Sequence, residues 1–233
     1  MTETLLGAGL YTLPEVARLL HINSRTLQRW AAGYPFVIKG QRHTSTPVVK
    51  RDLIELDGEI MLSFNDLIEL HIVKLFRDAG VSVQTIRAAA EKAAEIYQTN
   101  HPFAIKQFET DGKNIFATLQ KQGVEGISPT TLLMDMKRSQ MVMESIVISF
   151  FKKIEYQEFE PLRYWPNGKE RHIVLDPKRS FGKPIDVGSG VLTAVLYEMA
   201  KGGETVQNIA DWYGLDVETV EEAVSFEHSL KAA

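Results

Sequence analysis

Apolar positions recur at helical spacing from the first legible stretch of the chain. Leu13, Val16, Ala17 and Leu20 form one stripe over 12–20, the 3.6-residue period of an amphipathic helix. Thr12 stands at its start, with Pro14 in the first turn and Glu15 three residues after Thr12, the pattern of a capping box. His21, Ile22 and Asn23 make a tight connection. A second short helix then spans 25–32, capped by Ser24, with Leu27 and Trp30 inward and Gly33 at its end. The period next drops toward two. Segments 36–39 and 47–50 read as strands of a hairpin whose polar tip covers 40–46. Ser63 opens a strongly helical run over 64–79 that Gly80 stops, and Ser82 opens another over 83–97.

From 101 to 164 the pattern weakens. Segments 103–109 and 114–120 read as candidate strands with Gly112 between them, 131–151 mixes both periods, and 156–165 reads as extended. A turn cluster at 166–170 follows. A short strand over 171–175, a loop over 176–190 punctuated by glycine and proline, and helices over 191–200, 204–213 and 217–230 complete the chain, the last capped by Asp216. The expected fold is mainly α with small β elements. Its expected parts are a winged helix-turn-helix head over 1–100, a connecting, dimerisation or partner-binding segment over 101–165, and a helical module over 166–233.

The 233 residues are 44% hydrophobic and 24% charged, ordinary for a globular chain and unlike a disordered one. The absence of cysteine excludes disulfides, thiolate metal sites and thiol catalysis. The histidines at 43, 71, 101, 172 and 228 are scattered along the chain, and His71 reads as a packed residue of an apolar helix rather than a ligand. Neither a Walker loop nor a nucleophile elbow is present: Gly182-Lys183-Pro184 and Gly188-Ser189-Gly190 lack the required frames. No metal, cofactor or enzymatic activity is expected. The most apolar stretch, 141–151, carries Glu144 and is too short to cross a bilayer. No basic segment precedes an apolar run in 1–11, so a cytoplasmic protein with no membrane partner is expected.

The net charge of −4 is unevenly spread. Residues 1–53 hold seven Arg/Lys against three Asp/Glu, and residues 184–233 hold two against nine. A basic head suits an anionic polymer and an acidic tail suits a basic protein. Solvated acidic helices that only aid solubility are the plain alternative.

The head has the spacing of a helix-turn-helix. Its second helix must present N-terminal side chains to a major groove about 12 Å wide. With Leu27 and Trp30 inward, Arg25, Thr26, Gln28 and Arg29 point outward. Arginine pairs with guanine and glutamine with adenine, while Ser24 and the first amides suit a phosphate. Lys39, Gln41, Arg42 and His43 make the hairpin a candidate wing. The candidate DNA-binding set is therefore Ser24, Arg25, Thr26, Gln28, Arg29, Lys39, Gln41, Arg42 and His43. A small helical subdomain with solvated charges remains the simpler reading.

Residues Tyr11-Thr12-Leu13-Pro14-Glu15-Val16-Ala17, Ser24-Arg25-Thr26-Leu27-Gln28-Arg29-Trp30, and the later Leu62-Ser63-Phe64-Asn65-Asp66-Leu67 and Leu75-Phe76-Arg77-Asp78-Ala79-Gly80-Val81-Ser82-Val83-Gln84-Thr85-Ile86-Arg87 resemble the MerR-type winged helix-turn-helix. The chain then departs from MerR regulators, with no long dimerisation helix leading to a cysteine-rich effector loop. A second pattern runs through Arg171-His172-Ile173-Val174-Leu175-Asp176-Pro177, Phe181-Gly182-Lys183-Pro184-Ile185, Gly188-Ser189-Gly190-Val191, Ala200-Lys201-Gly202-Gly203-Glu204-Thr205-Val206 and Ile209-Ala210-Asp211-Trp212-Tyr213-Gly214-Leu215. It is similar to the domain-of-unknown-function family four-three-three, with Ser189 and Leu192 as mild departures. With a MerR-like head and Leu162-Arg163-Tyr164-Trp165-Pro166 before it, the combination resembles a branch of the VapB-type antitoxins of VapBC toxin–antitoxin systems, encoded beside PIN-domain toxins. The resemblance implies an antitoxin that binds operator DNA, autoregulates its operon, and blocks a PIN-domain ribonuclease as a homodimer within a larger complex.

Charge sign supports the second partner. Asp211, Asp216, Glu218, Glu221 and Glu222 read as outward and acidic, repelling phosphate and attracting a basic surface. The residues that block the toxin are not legible; Lys231 and the 176–190 loop are the candidates. A stand-alone regulator with a small-molecule effector bound at 100–165, and a pure protein–protein adaptor, are the other readings.

Overall fold

The computed structural model describes residues 7–231 with 54 and 57 excepted. The expectation drawn from residues 1–11 rests in part on 1–6, which lie outside the described residues.

Strand β1 (Tyr11–Thr12) leads into α1 (Leu13–Leu19) and α2 (Ser24–Ala32). The capping box of α1 is present: the Thr12 hydroxyl accepts from the Glu15 amide, and the Glu15 carboxylate accepts from the Thr12 amide. Helix α2 begins one residue earlier than expected because Asn23, not Ser24, is its cap; Asn23 Oδ1 accepts from the Arg25 amide at 3.0 Å. The hairpin also differs from its expected form. It pairs β2 (Tyr34–Ile38) with β3 (Gln41–Ser45). Lys39 and Gly40, at φ 49° and 81°, form a two-residue turn with both residues left-handed, the geometry that matches strand twist. Segment 47–50 is not a strand. Val48 and Val49 are buried instead, and the Val48 amide donates to the Trp30 carbonyl at 2.7 Å.

β4 (Met61–Leu62) pairs with β1, and α3 (Phe64–Asp78) and α4 (Val83–Tyr97) follow. Ser63 caps α3 in a box with Asp66, and Ser82 caps α4. The expected strands at 103–109 and 114–120 are overturned: α5 (Gln107–Gln122) takes all of the second and the end of the first, and 103–106 are turns. Gly112, expected between two strands, lies inside this helix, where a Cβ would come within 2.6 Å of Met143 Cε. Close approach therefore outweighs the helix cost of glycine, about 1 kcal/mol. α6 (Pro129–Val142), a π-turn (Met143–Val147) and α7 (Ile148–Lys152) follow one another with helical backbone at their junctions. The extra residue of the π-turn shifts the apolar face, so 131–151 matches neither period.

β5 (Ile154–Gln157), β6 (Glu160–Tyr164), β7 (Ile173–Leu175) and β8 (Pro184–Asp186) form one antiparallel sheet in sequence order. A hydrophobic cluster runs from Tyr11 through the aromatic group Phe76, Phe103, Phe108 and Phe116 to Tyr164 and Leu175. α8 (Thr193–Lys201), α9 (Val206–Tyr213) and α10 (Val217–Lys231) enclose a second core of Leu196, Ile209, Ala210, Val220 and Ala223.

The C-terminal module clasps α1. Leu19 packs on Ile173, Phe226 and Leu230, the buried Tyr11 hydroxyl donates to the Gly182 carbonyl at 2.7 Å, and Lys183 pairs with Glu15 at 3.3 Å. Gly182 has φ 83°, and a Cβ there would stand 2.2 Å from Tyr11 Oη. Gly182→Ala is expected to destabilise the chain by about 1–3 kcal/mol through overpacking, measurable as a lower denaturant midpoint at unchanged slope.

Candidate nucleic-acid interface and C-terminal docking face

Burial of Leu27 and Trp30 against the core fixes the rotation of α2. Arg25, Gln28 and Arg29 are thereby exposed and Thr26 is half-buried. Ser24, relieved of capping by Asn23, keeps its hydroxyl at the exposed start of the helix. The guanidinium of Arg29 lies over the Tyr34 ring, 4.9 Å from its centroid, and joins the end of α2 to the base of the wing.

Strand alternation sorts the wing residues. Phe36 pairs with His43, their rings 5.5 Å apart, and Ile38 pairs with Gln41. Gln41 and His43 therefore share the face of Tyr34 and Phe36 that meets Arg29. Arg42 opposes Val37 on the other face, and Lys39 sits in the turn. The structure thus groups Arg29, Gln41 and His43 along one edge and separates Arg42 from them. The expected basic tip becomes a basic strand.

Two features of this region were not read from the sequence. Arg87 of α4 holds the wing base: its guanidinium donates to Ser45 Oγ at 3.1 Å and to the Thr46 carbonyl at 2.8 Å. The groove beside Ser24, Arg25 and Gln28 is walled by Glu55 and Glu59. Carboxylates there oppose a phosphate backbone. Glu55→Gln with Glu59→Gln is expected to tighten binding to any duplex by about 0.5–2 kcal/mol, the scale of nearby surface charges, with a steeper salt dependence. Titration of labelled duplex at two salt concentrations measures it.

Between the segment after the wing, α3 and the α4–α5 connection lies an ionisable cluster that the scattered histidines did not suggest. His101 is 4% exposed. Its Nε2 is 2.6 Å from Asp52 Oδ1, its Nδ1 is 3.1 Å from Glu69 Oε2, and Asp66 Oδ1 is 3.8 Å away. Each carboxylate has a second anchor: Asp52 accepts from the Ser63 hydroxyl, Asp66 from the Ser63 amide, Glu69 from the Phe103 amide. Burial opposes charge on His101, but bonds to Asp52 and Glu69 outweigh it and push its pKa up to about 10. Burial raises Asp66 to about 6 and also raises Glu69. Asp52, Asp66 and His101 stand close enough to hold a cation. Both ring nitrogens, however, face carboxylates within bonding distance, so an imidazolium supplies the positive charge. His71 is the packed histidine expected of it. It lies 4.2 Å from the Phe150 ring, and burial lowers its pKa to about 3.

On the C-terminal module Asp211, Asp216, Glu218 and Glu221 are exposed. Glu222 is not. It turns inward, accepting from Asn167 Nδ2 at 2.8 Å and the His172 amide at 3.2 Å, because its position on α10 falls on the buried face with Thr219 and Ala223. Trp212 is 59% exposed and Tyr213 37%. Lys231 lies over the Tyr197 ring and bonds Glu198 at 2.7 Å. In the 176–190 loop, Ser180 and Phe181 both have left-handed φ, and the Phe181 side chain is exposed.

Residues 9–90 match a family model described as "Putative DNA-binding HTH domain", and residues 173–226 match one described as "Protein of unknown function (DUF433)". Over 227 residues, 92% of each protein, the chain is 29% identical to "Putative antitoxin VapB45" of Mycobacterium tuberculosis (strain ATCC 25618 / H37Rv). The chain is a homologue of that protein. It is also 21% identical to "Uncharacterized protein Rv2308" of the same organism, across 99% of this chain and 94% of that one. The crystal structure of Rv2018 from Mycobacterium tuberculosis superposes with a TM-score of 0.71 at 26% identity, covering 94% of this chain and 99% of that one. A helix-turn-helix domain and a DUF433 module therefore occur in one mainly helical chain with small sheets. Among the described residues, no helix is long and apolar enough to cross a membrane.

Proposed function

We propose that the chain is an antitoxin that reads operator DNA with α2 and the wing, and neutralises a PIN-domain ribonuclease through its C-terminal module. The observation that carries this reading is the opposite chemistry of the two ends. One end bears Arg25, Gln28 and Arg29 on a helix held by a buried Leu27–Trp30 face. The other bears an exposed aromatic pair on an acidic helical unit. Homology to the protein named "Putative antitoxin VapB45" supports the pairing of these roles. Arg25, Thr26, Gln28 and Arg29 would meet base edges; Ser24, Lys39, Gln41, Arg42 and His43 would meet the backbone or the neighbouring groove. Two copies are needed, because one short helix reads few base pairs and half-sites about 34 Å apart suit a two-fold assembly.

The toxin-facing surface is centred on Trp212. A large amphipathic ring with an acidic rim suits a basic groove, and such residues dominate interface energies. Trp212→Ala is expected to weaken toxin binding by at least about 2 kcal/mol, roughly 30-fold. Ile96→Ala, at an exposed apolar residue of α4, should leave it unchanged. Calorimetric titration of the purified ribonuclease with each variant tests the reading, and equal affinities for the parent and Trp212→Ala would remove α9 from the interface.

A further inference from the structure

Helices α6 and α7 and the π-turn between them run for about 36 Å at 1.5 Å per residue. Their inner side is buried through Leu132, Met136, Val142, Val147 and Phe150. Their outer side is unusually apolar for a surface helix. Leu133, Met134 and Ile146 are exposed, and Met141 at the midpoint is 61% exposed. Isolated exposed apolar residues need no explanation, but Met134 and Met141 stand two turns apart on one side of a single helical run, flanked by Leu133 and Ile146, and such a cluster marks an interaction surface.

Charge along the row selects its occupant. Lys137 lies between Met134 and Met141 and makes no ion pair among the described residues, whereas its neighbour Arg138 bonds the Gly80 carbonyl and pairs with Asp135. Glu144 lies on the far side of Met141 and is joined to Lys113 of α5 at 2.7 Å. Laid antiparallel on itself about Met141, the row brings Met141 against Met141, Met134 near Ile148 and Ser149, and Lys137 opposite Glu144 and Ser145. Two-fold symmetry makes each of those last contacts twice. A parallel arrangement would set Lys137 against Lys137. Opposite charges flanking an apolar seam favour one orientation over the other.

We propose that the outer face of α6, the π-turn and α7 is the self-association surface of this protein, and that its occupant is a second, antiparallel copy of the same face. The inference deepens the two-copy DNA reading proposed above and rests on that reading only for its purpose. The association itself is measured without DNA, so its failure and the failure of DNA recognition are separate results.

The chain contains no cysteine, so one introduced thiol reports one contact. Met141→Cys is expected to form a disulfide-linked dimer under mild oxidation, while Ile96→Cys, also exposed but on α4, remains monomeric in denaturing electrophoresis. By light scattering on a sizing column, the parent should be a dimer at micromolar concentration. Met141→Glu should raise its dissociation constant at least tenfold, Lys137→Glu should weaken it, and Lys137→Glu with Glu144→Lys should recover most of the loss. Circular dichroism checks that each variant keeps the parent's helicity. A monomeric parent overturns the proposal and leaves the row to another partner. A dimer that Met141→Glu leaves intact and Met141→Cys fails to cross-link overturns it equally.

Discussion

Replacing His101 by alanine is expected to lower the unfolding free energy by about 3–5 kcal/mol at pH 7.5, the scale of removing one partner from a buried ion pair. The imidazolium is the cation that faces Asp52, Asp66 and Glu69 at the junction of the wing-to-α3 segment and the α4-to-α5 turn. Without it, buried carboxylates face one another undercompensated. The pH dependence follows from the directions of the shifts. His101 is raised from about 6.5 to about 10, so its stabilisation is fully present below about pH 6.5 and is lost as pH rises through 10. Asp66 is raised from 3.8 to about 6, so its protonated form adds stability below about pH 4 that is lost as pH rises through 6. The gap between the parent and His101→Ala should therefore be widest below about pH 6.5 and close as pH rises through 10. Urea unfolding at pH 6, 7.5 and 10 measures it. A variant within about 0.5 kcal/mol of the parent at pH 7.5, the scale of an ordinary surface change, would contradict the role given to His101.

Arg25→Ala and Arg29→Ala carry the second large effect. Each is expected to cost about 1–3 kcal/mol of specific DNA binding, and their sum should approach the gap between specific and non-specific affinity. Both side chains are exposed and neither fills the core, so stability should change little. The two losses should differ in kind. Arg29 also stacks on Tyr34, so its removal loosens the α2–wing junction and should weaken contacts from Gln41 and His43 as well. Arg25 stands alone at the start of α2, and its removal should relax preference at one base step. Gel-shift titration on operator and scrambled duplex separates these outcomes. Unchanged operator affinity in the double variant would remove α2 from the recognition role.

Local signals in the sequence were sufficient wherever local chemistry governs. The Thr12–Glu15 box, the caps at Ser63 and Ser82, and the glycine stops at 33 and 80 are decided within four residues. The buried pair Leu27 and Trp30, and hence the outward face of α2, followed from the same spacing. The Ser24 cap failed by one residue because Asn23 competes for the same role with an equally good acceptor. The wing register failed because Lys39 entered a left-handed conformation that glycine usually takes, which moved the turn ahead of the polar run. α5 was missed because Gly112 suggests a break when read alone; only Met143, thirty-one residues later, explains it. The inward turn of Glu222 depends on Asn167 and His172 across the chain. The His101 cluster gathers 52, 66, 69 and 101, and Arg87 reaches back to 45–47. No spacing rule foretells contacts set by tertiary packing.

The central claim joins two partners on one chain, and the toxin is the partner that separates an antitoxin from any other DNA-binding protein. Affinity capture of the full chain from its own cells, with identification of what accompanies it and an RNA-cleavage assay of the captured complex, tests that claim most directly. The account predicts a small PIN-domain ribonuclease in stoichiometric amount, silent in the complex and active once the chain is removed. Capture of DNA without such a protein, or of a ribonuclease that cleaves equally with the chain bound, would contradict it.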